Sequence, residues 1–268
     1  MKTKRIKAIA ALTLLMGSAG LASAASKPKT AAQTSTIVDS GTFAVMVRGA
    51  KVATETFQIE QSAGGASRTH SELRSSGGAN ADQISDMELT ATGELSRYQW
   101  QAPGEHSSLT VEPNEEFLVE HLSYPGKPDA KDQNAAQQHD KTGMALKTDT
   151  LPHILPRTTP VLDDNFFSHR ELLLWRYLAG ACGTQNGQLQ CKFRRENYGV
   201  LVPNQHSAAS VTIEYSGNKG TTVAGAARIA NVYKLMADDV EWNLLVDPSN
   251  MKVLRIEIPS EQTEIVRE

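Results

Sequence analysis

Aromatic side chains are scarce in this chain, at 6% of 268 residues, and cysteine is scarcer, with two. A cysteine-rich mini-scaffold is excluded, and any interior must rest mainly on Val, Ile, Leu and Ala. With 19 Gly and 11 Pro, neither collagen nor a low-complexity chain fits. No apolar run reaches the roughly 20 residues of a membrane-spanning helix. Positive charge is not in surplus either: the net charge is −3, without a basic stripe, so neither nucleic acid nor an anionic membrane is an expected partner. The length suffices for one large all-β domain or two smaller ones around a substantial core.

What is present begins with an address. Lys2, Lys4, Arg5 and Lys7 precede the apolar stretch from Ala8 to Met16, and small residues lead to Ala22-Ser23-Ala24. This is the tripartite pattern of a secretory signal peptide spanning 1–24, with cleavage expected before Ala25. No cysteine follows the apolar run, which argues against lipoprotein attachment, and no transmembrane anchor is expected after cleavage. Removing those four basic residues leaves a mature chain of net charge about −7. The expected product is exported, periplasmic or secreted.

Cys182 and Cys191 flank a turn marked by Gly183, Asn186 and Gly187. In an oxidising compartment such a pair reads as a local disulfide, and a redox-active pair would sit closer, as C-x-x-C.

The body reads as strands. A flexible segment at 25–35 gives way to a single β-rich domain over 36–268. Phe43, Val45 and Val47 alternate, the chain turns at Arg48-Gly49-Ala50-Lys51, and Phe57 and Ile59 follow on one face, which predicts a hairpin. Met87/Leu89, Tyr98/Trp100, Leu109/Val111 and Phe117/Val119 continue the alternation with too little chain between them for crossover helices, so an antiparallel meander is expected. The pattern fails in a polar loop near 125–146, predicted to be mobile. Pro152, Pro156 and Pro160 then argue against a long regular element before Val161.

A helix is predicted from Asn165 to Gly180, capped by Asp163 or Asp164 and ended by Gly180. Phe166, Leu173 and Tyr177 form one stripe, Phe167, Leu174 and Leu178 another, and Arg170, Glu171 and Arg176 leave only a narrow polar side. A helix this apolar must be covered, most naturally by the concave face of the sheet. Strands return at Val211/Ile213/Tyr215, at Ile229/Tyr233/Leu235, and in a hairpin from Val240 to Ile258 that turns at Asp247-Pro248-Ser249-Asn250. The expected fold class is mainly β: one strongly curved antiparallel sheet, a half-barrel or open barrel, with one apolar helix on its concave face.

Three stretches carry a resemblance: the opening hairpin from Gly41 to Ile59, the segment Val161 to His169 leading into the helix, and the closing hairpin from Trp242 to Asp247 with Leu254 to Pro259. Together they resemble exported bacterial half-barrel proteins of unknown function, related in architecture to the LolA/LolB-like lipoprotein-carrier superfamily. The resemblance implies an apolar hollow closed by a helix, with apolar chains as ligands. It does not extend to the polar loop or the two cysteines.

Motifs for chemistry are absent. The seven histidines form no H-E-x-x-H, no cysteine pair is spaced for a metal, and neither an EF-hand loop nor G-x-S-x-G occurs, so no catalytic residue, metal or cofactor is assigned. Asp163, Asp164, His169 and Glu171 come nearest to a site, and capping aspartates with an exposed His explain them. His70/Glu72 and Glu120-His121 read as surface pairs. The expected ligand-binding residues are therefore apolar: Phe166, Phe167, Leu173, Leu174, Trp175 and Leu178, holding a hydrophobic small molecule or lipid. The alternative is a structural or interaction module of the cell envelope, with a filled core and an envelope protein as partner. An exported hydrolase is the third reading.

Overall fold

The computed structural model describes residues 35–78, 82–126, 138–139, 145–185, 188–223, 225–237 and 239–268. The signal peptide expected at 1–24, nearly all of the segment at 25–35 and most of the loop near 125–146 lie outside the described residues.

Short turns and period-two apolar patterns generate a long antiparallel sheet. Its first half comprises β1 (Ser35–Val47), β2 (Ala50–Ser62), β3 (Ser67–Ser75), β4 (Gln83–Leu89), β5 (Leu95–Ala102), β6 (Ser107–Asn114), β7 (Phe117–Pro125), β8 (Gln138–His139) and β9 (Ala145–Pro156). After the helix α1 (Ser168–Ala181) and the small hairpin of β10 (Cys182–Gln185) and β11 (Gln188–Cys191) come β12 (Glu196–Val202), β13 (Ser207–Val223), β14 (Ala226–Ala237), β15 (Val240–Val246), β16 (Val253–Ile258) and β17 (Thr263–Arg267). The main sheet has 15 strands in the order β12-β13-β14-β15-β16-β17-β1-β2-β3-β4-β5-β6-β7-β9-β8. Every neighbouring pair is antiparallel, and β17 against β1 splices the second half onto the first.

Turn chemistry explains much of this order. The β1–β2 turn holds Arg48 at φ 50° and Gly49 at φ 79°, the left-handed pair that matches the twist of a two-residue hairpin. Three other hairpins share one device, a single 3-10 turn opened by Pro and closed by a left-handed residue: Pro103 to His106, Pro203 to His206 and Pro259 to Gln262. Proline fits the first position, where a missing N–H is harmless.

Among the described residues the sheet stays open. β12 forms a ladder only with β13, and its other edge makes a single parallel bridge, Val161 to Leu201. Leu201 N–H donates to Pro160 O and Leu162 N–H to Leu201 O, both at 2.9 Å. The two ends of the curved sheet thus approach each other through an irregular segment rather than a strand ladder. This is the half-barrel expected from the sequence, with α1 on its concave face.

Among the described residues the interior holds two large apolar clusters, beside a smaller one of Ala230, Val232, Leu245 and Leu254. Around α1 are Phe43, Phe57, Leu174, Tyr177, Tyr233, Val253, Ile256 and Ile265. The other, on β4 to β7, joins Met87, Leu95, Tyr98, Leu109, Val111 and Leu118 to Val161 and Leu201. Cys182 and Cys191 are direct cross-strand partners and are joined in a disulfide. A loop this short contributes roughly 2–3 kcal/mol by limiting the unfolded chain.

Several local expectations need correction. The prolines do not prevent a strand, because β9 is 12 residues long and carries Pro152 and Pro156. It pairs with β7 along one side while, among the described residues, β8 touches it only at 145–146, so its prolines lie along what is there an edge, where proline is tolerated. On β7 the inward face is Leu118 and Glu120, not Phe117, which is 37% exposed. Ile229 is likewise exposed, while Tyr233 and Leu235 are buried. The helix starts at Ser168 and runs through Gly180 to Ala181. Of its expected polar side only Arg176 is exposed, while Arg170 and Glu171 are both buried.

Candidate functional site

The chain from Pro160 to Phe167 runs inside the curve of the sheet, and its polar groups decide how α1 is held. Phe167, at the helix start, has no side chain able to cap it, so the amide donors at the start of the helix, which lack an intrahelical partner, are met from β2. Glu55 Oε2 accepts from Phe167 N–H at 2.7 Å and Oε1 from Ser168 N–H at 3.2 Å. Burial pushes the Glu55 carboxyl up, against the pull of these donors. Asp163 and Asp164 therefore do not cap the helix. Asp163 instead accepts from Tyr98 OH at 2.7 Å and Asn165 N–H at 2.9 Å, and burial raises its carboxyl too.

His169 is 1% exposed, which overturns the expectation of a surface His. Its Nδ1 accepts from Asp163 N–H at 3.2 Å, and its Nε2 lies 3.4 Å from Ser85 Oγ. Burial, with Arg170 beside it, pushes its pKa down to about 3. A neutral ring with an accepting Nδ1 suits this geometry and anchors the segment before the helix.

Arg170 and Glu171 are compensated within the interior. Arg170 donates from one terminal nitrogen to Asp163 O at 2.6 Å and Phe166 O at 2.9 Å, and its guanidinium stacks 4.1 Å from the centre of Trp242. Arg267 of β17 joins Glu171 to Asp39 of β1, with contacts of 2.8 Å to each. Burial pushes Glu171 up to about 8. For Asp39 burial is outweighed by Arg267 and Lys252, which hold its carboxyl below the usual range.

Among the described residues, two of the hollows lie beside this packed centre. The first, of about 410 Å³, is walled by Trp100, Leu109, Leu122 and Leu151 from β5, β6, β7 and β9. Its polar lining includes Ser107, Ser123, Tyr124, Asp149, Asp163 and His206. The second, of about 380 Å³, lies between α1 and the β3–β5 side, against Met87, Leu89, Val161, Leu172, Leu173 and Trp175. Both are of the size of small-molecule sites.

At the polar end of the first hollow, Glu120 of β7 joins the two ends of the sheet. It is fully buried, with His153 Nε2 of β9 at 2.8 Å and His206 Nδ1 of the β12–β13 turn at 2.5 Å. The left-handed residue of the Pro203 turn is His206 itself. This cluster was hidden in the sequence because Glu120 shares a strand with exposed His121 and its partners lie 33 and 86 residues away. The recurring Pro-x-x-His-Ser at Pro103 and Pro203 was a signal that could have marked the turn.

The six residues expected to bind ligand divide unequally. Phe166, Phe167, Leu173, Leu174 and Leu178 are all buried. Leu173 and Trp175 line the second hollow, and none of the six lines the first. Trp175 donates from its indole to Met251 O at 2.8 Å. Among the described residues, no group of three or more His, Cys, Asp or Glu is arranged to hold a metal, and no helix is long and apolar enough to cross a membrane.

No protein-family model and no curated protein matches the chain. Among solved structures it is similar to a beta-barrel-like protein of domain of unknown function DUF1849 from Brucella abortus. That similarity has a TM-score of 0.40 at 8% sequence identity, covering 85% of this chain and 94% of the other.

Proposed function

We propose that this is an exported protein that holds a small molecule with an apolar body, such as an acyl chain, in the hollow of its half-barrel. The observation that carries the reading is the first hollow: about 410 Å³ of space inside the curve of the sheet, walled by Trp100, Leu109, Leu122 and Leu151. A core with no ligand to admit is packed to crystal-like density. The second hollow touches Leu173 and Trp175, so the residues first singled out on the helix bear on binding there. Export rests on the leader-like start of the sequence, and the Cys182–Cys191 disulfide is compatible with it. Kinship with LolA/LolB-like carriers belongs to the same reading.

One observation favours the alternative of a structural or interaction module with an envelope protein as partner. Five of the six helix residues are packed away, so α1 behaves as a core plug rather than a movable lid. Titration with a fluorescent acyl probe separates the two. Ligand binding predicts a saturable change in tryptophan emission that is lost in Trp100→Phe or, if the second hollow is used, in Trp175→Phe. A response that is unsaturable, or indifferent to both substitutions, refutes the ligand reading and leaves the module.

A further inference from the structure

The lining of the first hollow has a marked charge bias. Among the described residues around it, Asp149 and Asp163 are carboxylates and none is Lys or Arg. His206 is the one basic group, and its Nδ1 is already against the buried carboxylate of Glu120. Behind it, the other Glu120 oxygen is taken by His153. The imidazoles are thus committed to Glu120, and Asp149 and Asp163 are left to set the sign of the field.

Among the described residues, neither aspartate is saturated. A carboxylate offers about four lone-pair positions. Asp163 uses one oxygen for Tyr98 OH and the other for Asn165 N–H. Asp149 accepts from Tyr124 OH at 2.6 Å. Trp100 and Tyr124 face the same space, and aromatic faces attract cations, most strongly where water is excluded. An anionic head would instead be brought beside two carboxylates, and the nearest cation, Arg170 behind Asp163, lies outside the lining.

We infer that the hollow bounded by β5, β6, β7 and β9 selects a small amphiphile with a cationic head, a primary or quaternary amine, and rejects a carboxylate head on the same tail. The inference rests on the proposed ligand-binding function and narrows it. The apolar body lies along Leu109, Leu122 and Leu151, and the ammonium sits between Asp149, Asp163 and the aromatic rings.

The test is calorimetric titration of the protein with decyltrimethylammonium, decanol and decanoate, each below its micelle-forming concentration. The expected order is ammonium, then alcohol, then carboxylate, with about tenfold between the first and last, the sum of a buried contact at Asp163 and a weaker, solvent-exposed one at Asp149. Asp149→Asn, at an exposed position, should shrink the ammonium-to-alcohol ratio. Equal affinities for the three probes, or preference for decanoate, overturn the charge selectivity while leaving a ligand-binding hollow. An ammonium preference unchanged in Asp149→Asn overturns this placement of the head. Binding of none of the three overturns the underlying function as well.

Discussion

His169 offers a direct measure of how firmly the start of the helix is buried. In an unfolded chain its imidazole takes up a proton near pH 6.5, whereas in the folded protein it stays neutral until about pH 3. Between these values the unfolded state binds more protons, so acid favours unfolding. The contribution is complete above pH 6.5 and is lost progressively as the pH falls towards 3. At pH 5 the loss amounts to about 2 kcal/mol, from about 1.4 kcal/mol for each pH unit below 6.5. Glu55, Asp163 and Glu171 act in the opposite sense, because their raised carboxyls favour the folded state at low pH and lose that contribution as the pH rises. Their effect cancels when wild type is compared with His169→Gln. Urea unfolding between pH 7.5 and 5 should show the variant's stability deficit shrinking by about 2 kcal/mol, since only the wild type has an imidazole to protonate. A deficit that stays constant across this range would refute the burial and neutrality assigned to His169.

Two further outcomes concern the packed centre. Asp39→Asn should destabilise by about 3–5 kcal/mol in chemical unfolding, because Arg267 and Lys252 would lose their shared charge partner in a largely buried place; a loss below 1 kcal/mol would mean that Glu171 alone compensates Arg267. Leu174→Ala removes a side chain with no exposed surface and should cost about 2–5 kcal/mol in thermal or urea unfolding, with acyl-probe affinity unchanged because Leu174 lines neither hollow.

The strands were legible because their inward faces are apolar at period two, as at Phe57/Ile59, Val211/Ile213 and Leu244/Val246. The disulfide followed from compartment and spacing. The helix was legible too, but its ends were not: local capping rules pointed to Asp163 and Asp164, whereas Glu55 supplies the acceptors from 112 and 113 residues away. Burial of Glu171 escaped for the same reason, since its partner Arg267 lies on β17, whereas Arg170 is held by Asp163 O and Phe166 O nearby in the chain and by the distant face of Trp242 on β15. The first hollow was the hardest to foresee. Its wall is written in ordinary strand alternation, and its polar end exists only because curvature brings Glu120 of β7 to His206 of a distant turn. Sequence reasoning weighted the conspicuous helix, and that helix turned out to be mostly core.

The splice between β1 and β17 has a consequence for assembly. Asp39 and Arg267, which meet across it, are separated by 228 residues in the chain. Until β17 arrives, the β1 edge that it covers from Phe43 to Val47 has no partner, and an unpaired edge invites pairing with other chains. The first half can zip through its local hairpins from β1 to β7, but the whole sheet must await its most distant contact, which predicts slow completion and a vulnerable intermediate whose weak point is that waiting edge.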